Sequence, residues 1–348
     1  MLLEKLSNAR GVSGDESAVR ALLAAHIQKY VDEYRVDALG NLIAFKRAAR
    51  RNHSRLNVLI AAHMDEVGLL ATHIDRDGFV LFDKVGGIDD RILPSKAVWI
   101  GAARIPGVIG FKPRHRSTEA ERKKVVAYDD LRIDIGAASH QDAARVVTPG
   151  DYITFATTFT PIGDNCVRGK ALDDRAGCAL LAELLRENFP FNFYAAFTTQ
   201  EELGLRGARV AGYAVAPDLA FVLEATVCDD SPKEHEQSPT TRLGAGPALT
   251  LADRKLLADK KLTRLVADTA RENKIPFQYK QPLVGSTDAG ELHRVRGGVP
   301  SAVISLPARY IHSPAAIISL DDFNNALKLL RAVLPRIAEL TDFQSNAK

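Results

Sequence analysis

The chain has few cysteines and no long apolar run, and these absences exclude several classes of protein. Its 348 residues include three cysteines, Cys166, Cys178 and Cys228, which are too few and too irregularly spaced for a disulfide framework or a thiolate metal site. No apolar run approaches the ~20 residues of a membrane-spanning helix. The first residues also lack the pattern of a secretory signal. We therefore expect a cytoplasmic protein that does not enter a membrane.

The chain also lacks a strong excess of charge of either sign. Its net charge is +3, and the Lys and Arg residues are spread along the sequence. Composition therefore gives no reason to expect nucleic acid as a partner. A hydrophobic fraction of 46% with 26% charged residues is typical of globular proteins, and the length predicts one large domain with a smaller one.

Helical and strand patterns alternate in two separated parts of the chain. The predicted helices cover residues 16–34, 176–187, 256–273 and 322–340, and the predicted strands cover residues 41–45, 56–62, 191–198, 219–223 and 302–305. Strands that alternate with helices predict a mostly parallel sheet covered by helices on both faces, so the fold class is α/β.

The segment between these two parts differs from them in composition and in the length of its predicted strands. It is rich in Val, Ile, Gly and Pro, and it contains short strand candidates at residues 97–100, 107–111 and 152–155. The simplest interpretation is one discontinuous α/β catalytic domain, residues 1–66 and 163–348, interrupted by a small β-rich domain at residues 67–162.

Acidic side chains and imidazoles stand at or just beyond the ends of the predicted strands. They are His63, the pair Glu201 and Glu202, Glu224 and His312, and a further acid pair, Asp173 and Asp174, precedes the helix at 176–187. Ligands of open α/β sheets bind at the carboxyl ends of the strands, so these groups are expected to meet at one rim.

Mixed imidazole and carboxylate ligands are those of a site for two divalent metal ions, and zinc, cobalt and manganese all accept them. Two such ions can activate a shared water and polarise a carbonyl oxygen. Of the adjacent acids, one can bind metal while the other moves the proton. Asp65 lies two residues after His63, on the same side of an extended strand, where it can orient that imidazole.

Several long motifs resemble the tetrahedral aminopeptidase family, which are cytoplasmic dinuclear metallopeptidases that include glutamyl aminopeptidases and endoglucanase-M-like proteins. The motifs are SGDE, AAHMDEVG, IGFKPRHRSTEAERKKV, PGDYITF, GKALDDRAGC, TTQEELGLRGA, PTTRLGAGPA, GSTDAGELH and RYIHSP. They occur in the family's order and span nearly the whole chain.

The resemblance implies a role for each candidate residue. Asp173 would bridge two divalent ions, zinc in the first place with cobalt or manganese as alternatives. His63 and Glu224 would complete the coordination of one ion, and Glu202 and His312 would complete that of the other. Glu201 would be the general base, and Asp65 the partner of His63.

The resemblance also implies the substrates and the assembly. The enzyme would remove N-terminal residues from short peptides. The insertion would be PDZ-like and would form dimers, which would build a dodecamer. A cis peptide bond between Asp173 and Asp174 is expected from related dinuclear peptidases. Residues 285–293 would line the pocket, where Thr287 and Asp288 either contact substrate or satisfy their own turn.

Three other functions are compatible with parts of the sequence. A dinuclear carboxypeptidase or N-acyl amino acid deacylase would need a cation for the substrate carboxylate, and Arg175 or Arg309 could serve. A two-carboxylate glycosidase would leave both histidines without a task. A scaffold protein with a decayed site is disfavoured by the intact ligand positions. The preferred N-terminal residue is left open.

Overall fold

The computed structural model describes residues 1–49, 56–231, 240–281 and 283–339. Its helices are α1 (Leu2–Asn8), α2 (Ser17–Ile27), α3 (Glu119–Arg122), α4 (His140–Ala143), α5 (Leu172–Leu184), α6 (Arg206–Val215), α7 (Lys260–Glu272), α8 (Ala289–Leu292) and α9 (Leu320–Val333). Short 3₁₀ helices lie at Asp90–Ile92, Arg114–Arg116, Tyr128–Asp130 and Leu334–Glu339.

The strands fall into two groups. A large sheet contains β1 (Glu33–Val36), β2 (Leu42–Lys46), β3 (Asn57–His63), β10 (Thr160–Ile162), β11 (Cys166–Gly169), β12 (Asn192–Thr198), β13 (Leu219–Val227), β14 (Ala248–Leu249), β15 (Gln278–Tyr279), β16 (Ser301–Arg309) and β17 (Ala316–Ser319). A closed barrel contains β4 (Gly68–Ile74), β5 (Val80–Val85), β6 (Ala97–Ile100), β7 (Ile105–Ile109), β8 (Ile133–Asp134) and β9 (Tyr152–Phe155).

The centre of the large sheet is parallel. Its main strand order is β1-β2-β12-β3-β13-β16-β17-β11-β10. Strands β12, β3, β13 and β16 pair parallel with one another, and the strands on either side of them pair antiparallel. The sheet is thus mixed overall, and its parallel part brings four strand ends to the same edge.

Helices cover both faces of this sheet, as the sequence pattern predicted. On β3, Val58 and Ile60 pack on one face in a core shared with α1, α2, α5, α7 and α9. Leu59 and Ala61 pack on the other face, against α6 and α8. This alternation follows from the two-residue period of a strand and buries β3 on both sides.

The barrel has a hydrophobic core of its own. The strand order β4-β5-β8-β7-β6-β9 closes on itself, and the buried side chains of this group, among them Val80, Ile100 and Ile133, form a cluster separate from the sheet. The α/β fold with a small inserted β domain is therefore confirmed. Strands β6 and β9 have the predicted bounds.

All four predicted helices have other bounds in the structure. Helix α2 ends at Ile27 rather than at residue 34, and α5 begins at Leu172 rather than at residue 176. Side-chain caps decide where α7 and α9 start. Helix α7 begins at Lys260 rather than at residue 256, since the Asp259 carboxylate accepts the N–H groups of Lys261 and Leu262. Helix α9 begins at Leu320, where the Ser319 hydroxyl accepts two backbone N–H groups. In the described residues, no helix is long and apolar enough to cross a membrane.

Candidate active site

The predicted site residues meet at the carboxyl edge of the four parallel strands. His63 is the last residue of β3, Glu224 lies in β13, and His312 follows β16. Glu201 and Glu202 lie in the turn after β12. Because these strands are parallel neighbours, their ends bring residues that are distant in sequence to one place.

Asp173 stands at the centre of the site, between the two imidazoles. Its Oδ1 lies 3.2 Å from Nε2 of His63, and its Oδ2 lies 3.5 Å from Nε2 of His312. The peptide bond between Asp173 and Asp174 is cis, as expected. Neither residue has helical backbone angles, so α5 is interrupted near its start.

Each imidazole has a second carboxylate beside it. Glu224 Oε1 lies 3.2 Å from His63 Nε2, and Glu202 Oε2 lies 3.3 Å from His312 Nε2. The site therefore consists of two similar halves, each with one imidazole and one glutamate. The two oxygens of Asp173 join the halves.

The other nitrogen of each imidazole faces an oxygen atom. His312 Nδ1 lies 3.2 Å from the carbonyl oxygen of Gly87, which belongs to the inserted segment. His63 Nδ1 lies 3.4 Å from Asp65 Oδ1. Ligand histidines commonly direct their second nitrogen at a carbonyl or carboxylate, which leaves Nε2 available for a metal ion.

Asp65 connects His63 to the turn that carries the two glutamates. Its Oδ1 accepts the N–H of Glu201 at 3.0 Å, and its Oδ2 accepts the N–H of Glu202 at 3.1 Å. The Ser13 hydroxyl also donates to Asp65 Oδ2, at 2.6 Å. Asp65 is fully buried, so it holds the strand end and the turn in one geometry.

Adjacent side chains of an extended strand point to opposite faces, but those of Glu201 and Glu202 do not. They lie in a turn, and both side chains line the same cavity. The turn is possible because Gln200 has a positive φ of 55° and Asp65 accepts the two N–H groups that follow. Both carboxylates can thus act on one substrate.

Burial changes the pKa values of the carboxyl groups at the site. It raises the pKa of Glu202 to about 7 and that of Glu224 to about 8. It also raises the pKa of Glu201 well above its usual value. Burial acts in the same direction on Asp173, but hydrogen bonds with His312 and His63 outweigh it and lower the pKa of Asp173.

The donor set fits divalent metal ions. Four carboxylates, those of Asp173, Glu201, Glu202 and Glu224, crowd two imidazoles at one cavity, and such crowding repels without a cation. Among the described residues, the buried Oε2 of Glu224 has no hydrogen-bond partner, which is the expected state of an oxygen that binds metal.

Asp174 is an additional potential ligand near His63. Ligand atoms of His63, Asp173 and Glu202 lie within 4.8 Å of one another, and so do those of His63, Asp174 and Glu224. However, the Asp174 oxygens accept backbone N–H groups from His63 and Gly177. We therefore regard Asp174 as a support of the strand end.

The two arginines considered for a carboxypeptidase or deacylase have other partners. Arg175 is fully buried and donates to Met64 O at 2.7 Å, and it also contacts Glu66 at 3.4 Å. Arg309 binds both oxygens of Asp230, at 2.7 and 3.0 Å. In the part of the chain that the structure describes, neither arginine lines the cavity at the site.

A cavity of about 460 Å³ opens beside the candidate ligands. Thr287 lines it, whereas Asp288 accepts a hydrogen bond from the Thr198 hydroxyl at 2.5 Å. Lys280 and Thr226 also line the cavity, and the sequence analysis missed both. A single lysine in QYKQP and a threonine in a strand carry no sequence signal of function.

Comparison with known proteins identifies the family. The family model described as M42 glutamyl aminopeptidase matches residues 40–329. A lysyl aminopeptidase of Pyrococcus furiosus is 31% identical, over 97% of this chain and 96% of its own.

Solved structures of similar proteins have the same fold. A TET aminopeptidase from a marine sediment archaeon of the Thaumarchaeota has a TM-score of 0.92 and 36% identity, over 99% of this chain and 98% of its own. The TET1 peptidase of Pyrococcus horikoshii has a TM-score of 0.83 and 33% identity, over 96% of this chain and 99% of its own. That peptidase can assemble into a tetrahedron or a large octahedral shell. The chain therefore belongs to the M42 glutamyl aminopeptidase family and is a metal-dependent aminopeptidase.

Proposed function

We propose that the enzyme removes the N-terminal residue of short peptides at a site for two metal ions, with zinc as the first candidate and cobalt or manganese as alternatives. Asp173 would bridge the ions, His63 and Glu224 would hold one, and Glu202 and His312 would hold the other. When bound, the ions would activate a water and polarise the scissile carbonyl.

The observation that carries this proposal is the position of Asp173. Its two oxygens face two different imidazoles, at 3.2 and 3.5 Å, and each imidazole has its own glutamate. A carboxylate with one oxygen in each half can bridge two ions, whereas a single-ion site would need only one of these halves.

Glu201 is the residue that we propose moves the proton. Its carboxyl group lines the cavity, and its backbone is fixed by Asp65. It would take a proton from the attacking water and then give it to the leaving amine. Asp65 would act through His63 and the turn, so it is a positioning residue in this mechanism.

Metal removal tests this function. We expect chelator-treated protein to lose hydrolysis of aminoacyl anilides and to regain it when zinc, cobalt or manganese is restored, because the carboxylate cluster cannot polarise the carbonyl alone. Hydrolysis of nitroanilide substrates would be followed by the visible absorbance of the released nitroaniline, and bound metal by mass spectrometry.

N-acetylated anilides provide the control for that experiment, because an aminopeptidase requires a free N-terminal amine. Activity confined to acylated amino acids or to C-terminal residues would instead favour the deacylase or carboxypeptidase. Cleavage of β-glucan without metal would favour the glycosidase.

We also propose that the protein forms a dodecamer built from dimers, with residues 67–162 as the PDZ-like dimerisation domain. The assemblies of the similar TET1 peptidase and the separate barrel core support this proposal. Light scattering of the full chain tests it, and a monomer at micromolar concentration would contradict it. A cytoplasmic location remains our proposal from the sequence, and cell fractionation tests it.

A further inference from the structure

Lys280 is a buried cation in the wall of the active-site cavity. Only 5% of the residue is exposed, and it lines the same cavity as Asp173, Glu201, Glu202 and Glu224. Lysine is rarely buried without a partner, because its ammonium group loses hydration. In the described residues, no hydrogen bond or ion pair within 4 Å engages this ammonium group. A buried cation of this kind can bind an anion that arrives with the substrate.

The backbone opposite Lys280 leaves space around its ammonium group. Gly285 also lines the cavity and has a φ of +68°, a conformation that favours glycine. A Cβ atom at position 285 would lie 3.8 Å from Lys280 Nζ. A Cβ atom there would already be in van der Waals contact with the ammonium group, so the glycine leaves this side of the ammonium group uncovered.

Two hydroxyl groups in the same wall have unused hydrogen-bonding capacity. Thr226 and Thr287 line the cavity, and each is only 2% exposed. Their hydroxyl oxygens are buried and have no hydrogen-bond partner among the described residues. Thr226 follows Glu224 by two positions in β13, so both side chains lie on the same face of that strand. These two oxygens have almost no accessible surface, whereas the Lys280 ammonium group is not among the fully buried unpaired atoms of the described residues. Of these three polar groups, the ammonium group is therefore the one that a ligand in the cavity can reach.

We propose that Lys280 binds the side-chain carboxylate of the substrate's N-terminal residue, so that the enzyme prefers peptides beginning with Glu or Asp. This inference rests on the proposed aminopeptidase function. A side-chain carboxylate can accept a charge-assisted hydrogen bond from this ammonium group. The family does not decide the preference, since its model is described as glutamyl and a relative is a lysyl aminopeptidase.

A structural role for Lys280 is the competing explanation. The carboxylates of Glu224, Asp253 and Asp173 all favour its charged form, so the lysine could simply balance the acidic site. That role would affect all substrates alike. Binding of a substrate carboxylate would affect acidic substrates selectively, and this difference separates the two explanations.

The test compares glutamyl anilide with glutaminyl anilide, because the two side chains have the same shape and differ in charge. With metal-reconstituted protein, we expect a higher kcat/KM for the glutamyl substrate. In Lys280→Met, the ratio of the two kcat/KM values should fall by about 10- to 100-fold, the usual effect of losing a charged hydrogen-bond partner. Lys280→Arg should retain part of the ratio, and Lys280→Glu should favour lysyl anilide.

Lys328→Glu is the matched control, because this lysine is exposed on α9 and does not line the cavity. It should leave the glutamyl-to-glutaminyl ratio unchanged. Calorimetric titration with free glutamate and free glutamine provides a second readout that needs no turnover. Tighter binding of glutamate should be lost in Lys280→Met.

Three outcomes would overturn the inference. One is an unchanged substrate ratio in Lys280→Met, and another is a wild-type enzyme that prefers glutaminyl, alanyl or leucyl anilide. The third is that Lys280→Met loses hydrolysis of alanyl-alanine but keeps hydrolysis of its C-terminal amide. That result would show that Lys280 binds the carboxylate of a dipeptide's second residue. If no free-amine anilide is cleaved, the proposed function fails, and the glutamate titration still decides the role of Lys280.

Discussion

Replacement of Glu201 by glutamine is expected to lower kcat by about 10²- to 10⁴-fold while both metal ions remain bound. Glutamine has nearly the same shape, but its neutral amide cannot take a proton from water or return one to the leaving amine. The proposed ligands of both ions are unchanged in this variant. Steady-state hydrolysis of an aminoacyl anilide and metal analysis of the same sample would measure the two effects together.

The control for this variant is Glu119→Gln, which removes an exposed carboxylate of α3 in the inserted domain. It should leave kcat unchanged. If Glu201→Gln retained near-normal turnover with two ions bound, Glu201 would not be the general base. Loss of an ion from this variant would instead indicate that Glu201 is a ligand.

Replacement of Asp173 by asparagine is expected to reduce the metal content from two ions per subunit to one or none. An amide offers one oxygen, and its nitrogen is not a metal ligand, so the residue can no longer join the two halves of the site. Hydrolysis should fall at least as far as in Glu201→Gln. Calorimetric titration of the metal-free variant would measure both stoichiometry and affinity.

Asp83→Asn is a suitable comparison, because Asp83 is an exposed residue of the barrel strand β5. It should bind metal as the wild type does. Two ions bound to Asp173→Asn with unchanged affinity would contradict the bridging role.

The fold could be predicted largely from the alternation of apolar patterns. The run at residues 56–62 is apolar at every position except Asn57, and the structure places this strand inside the sheet with both faces covered. Helix ends were less predictable. The starts of α7 and α9 depend on caps by Asp259 and Ser319, whose effect on a boundary is decided by local backbone geometry.

The sequence by itself determined which chemical groups the site contains, because imidazoles and carboxylates that follow parallel strands must meet at one edge. Only the tertiary structure decided how they are held. Asp65 binds the turn of Glu201 and Glu202, and Gly87 of the inserted segment contacts His312. The structure alone also placed Lys280 in the cavity wall. These contacts join residues far apart in the chain, and a single lysine or glycine has no periodicity or spacing from which its partner could be inferred.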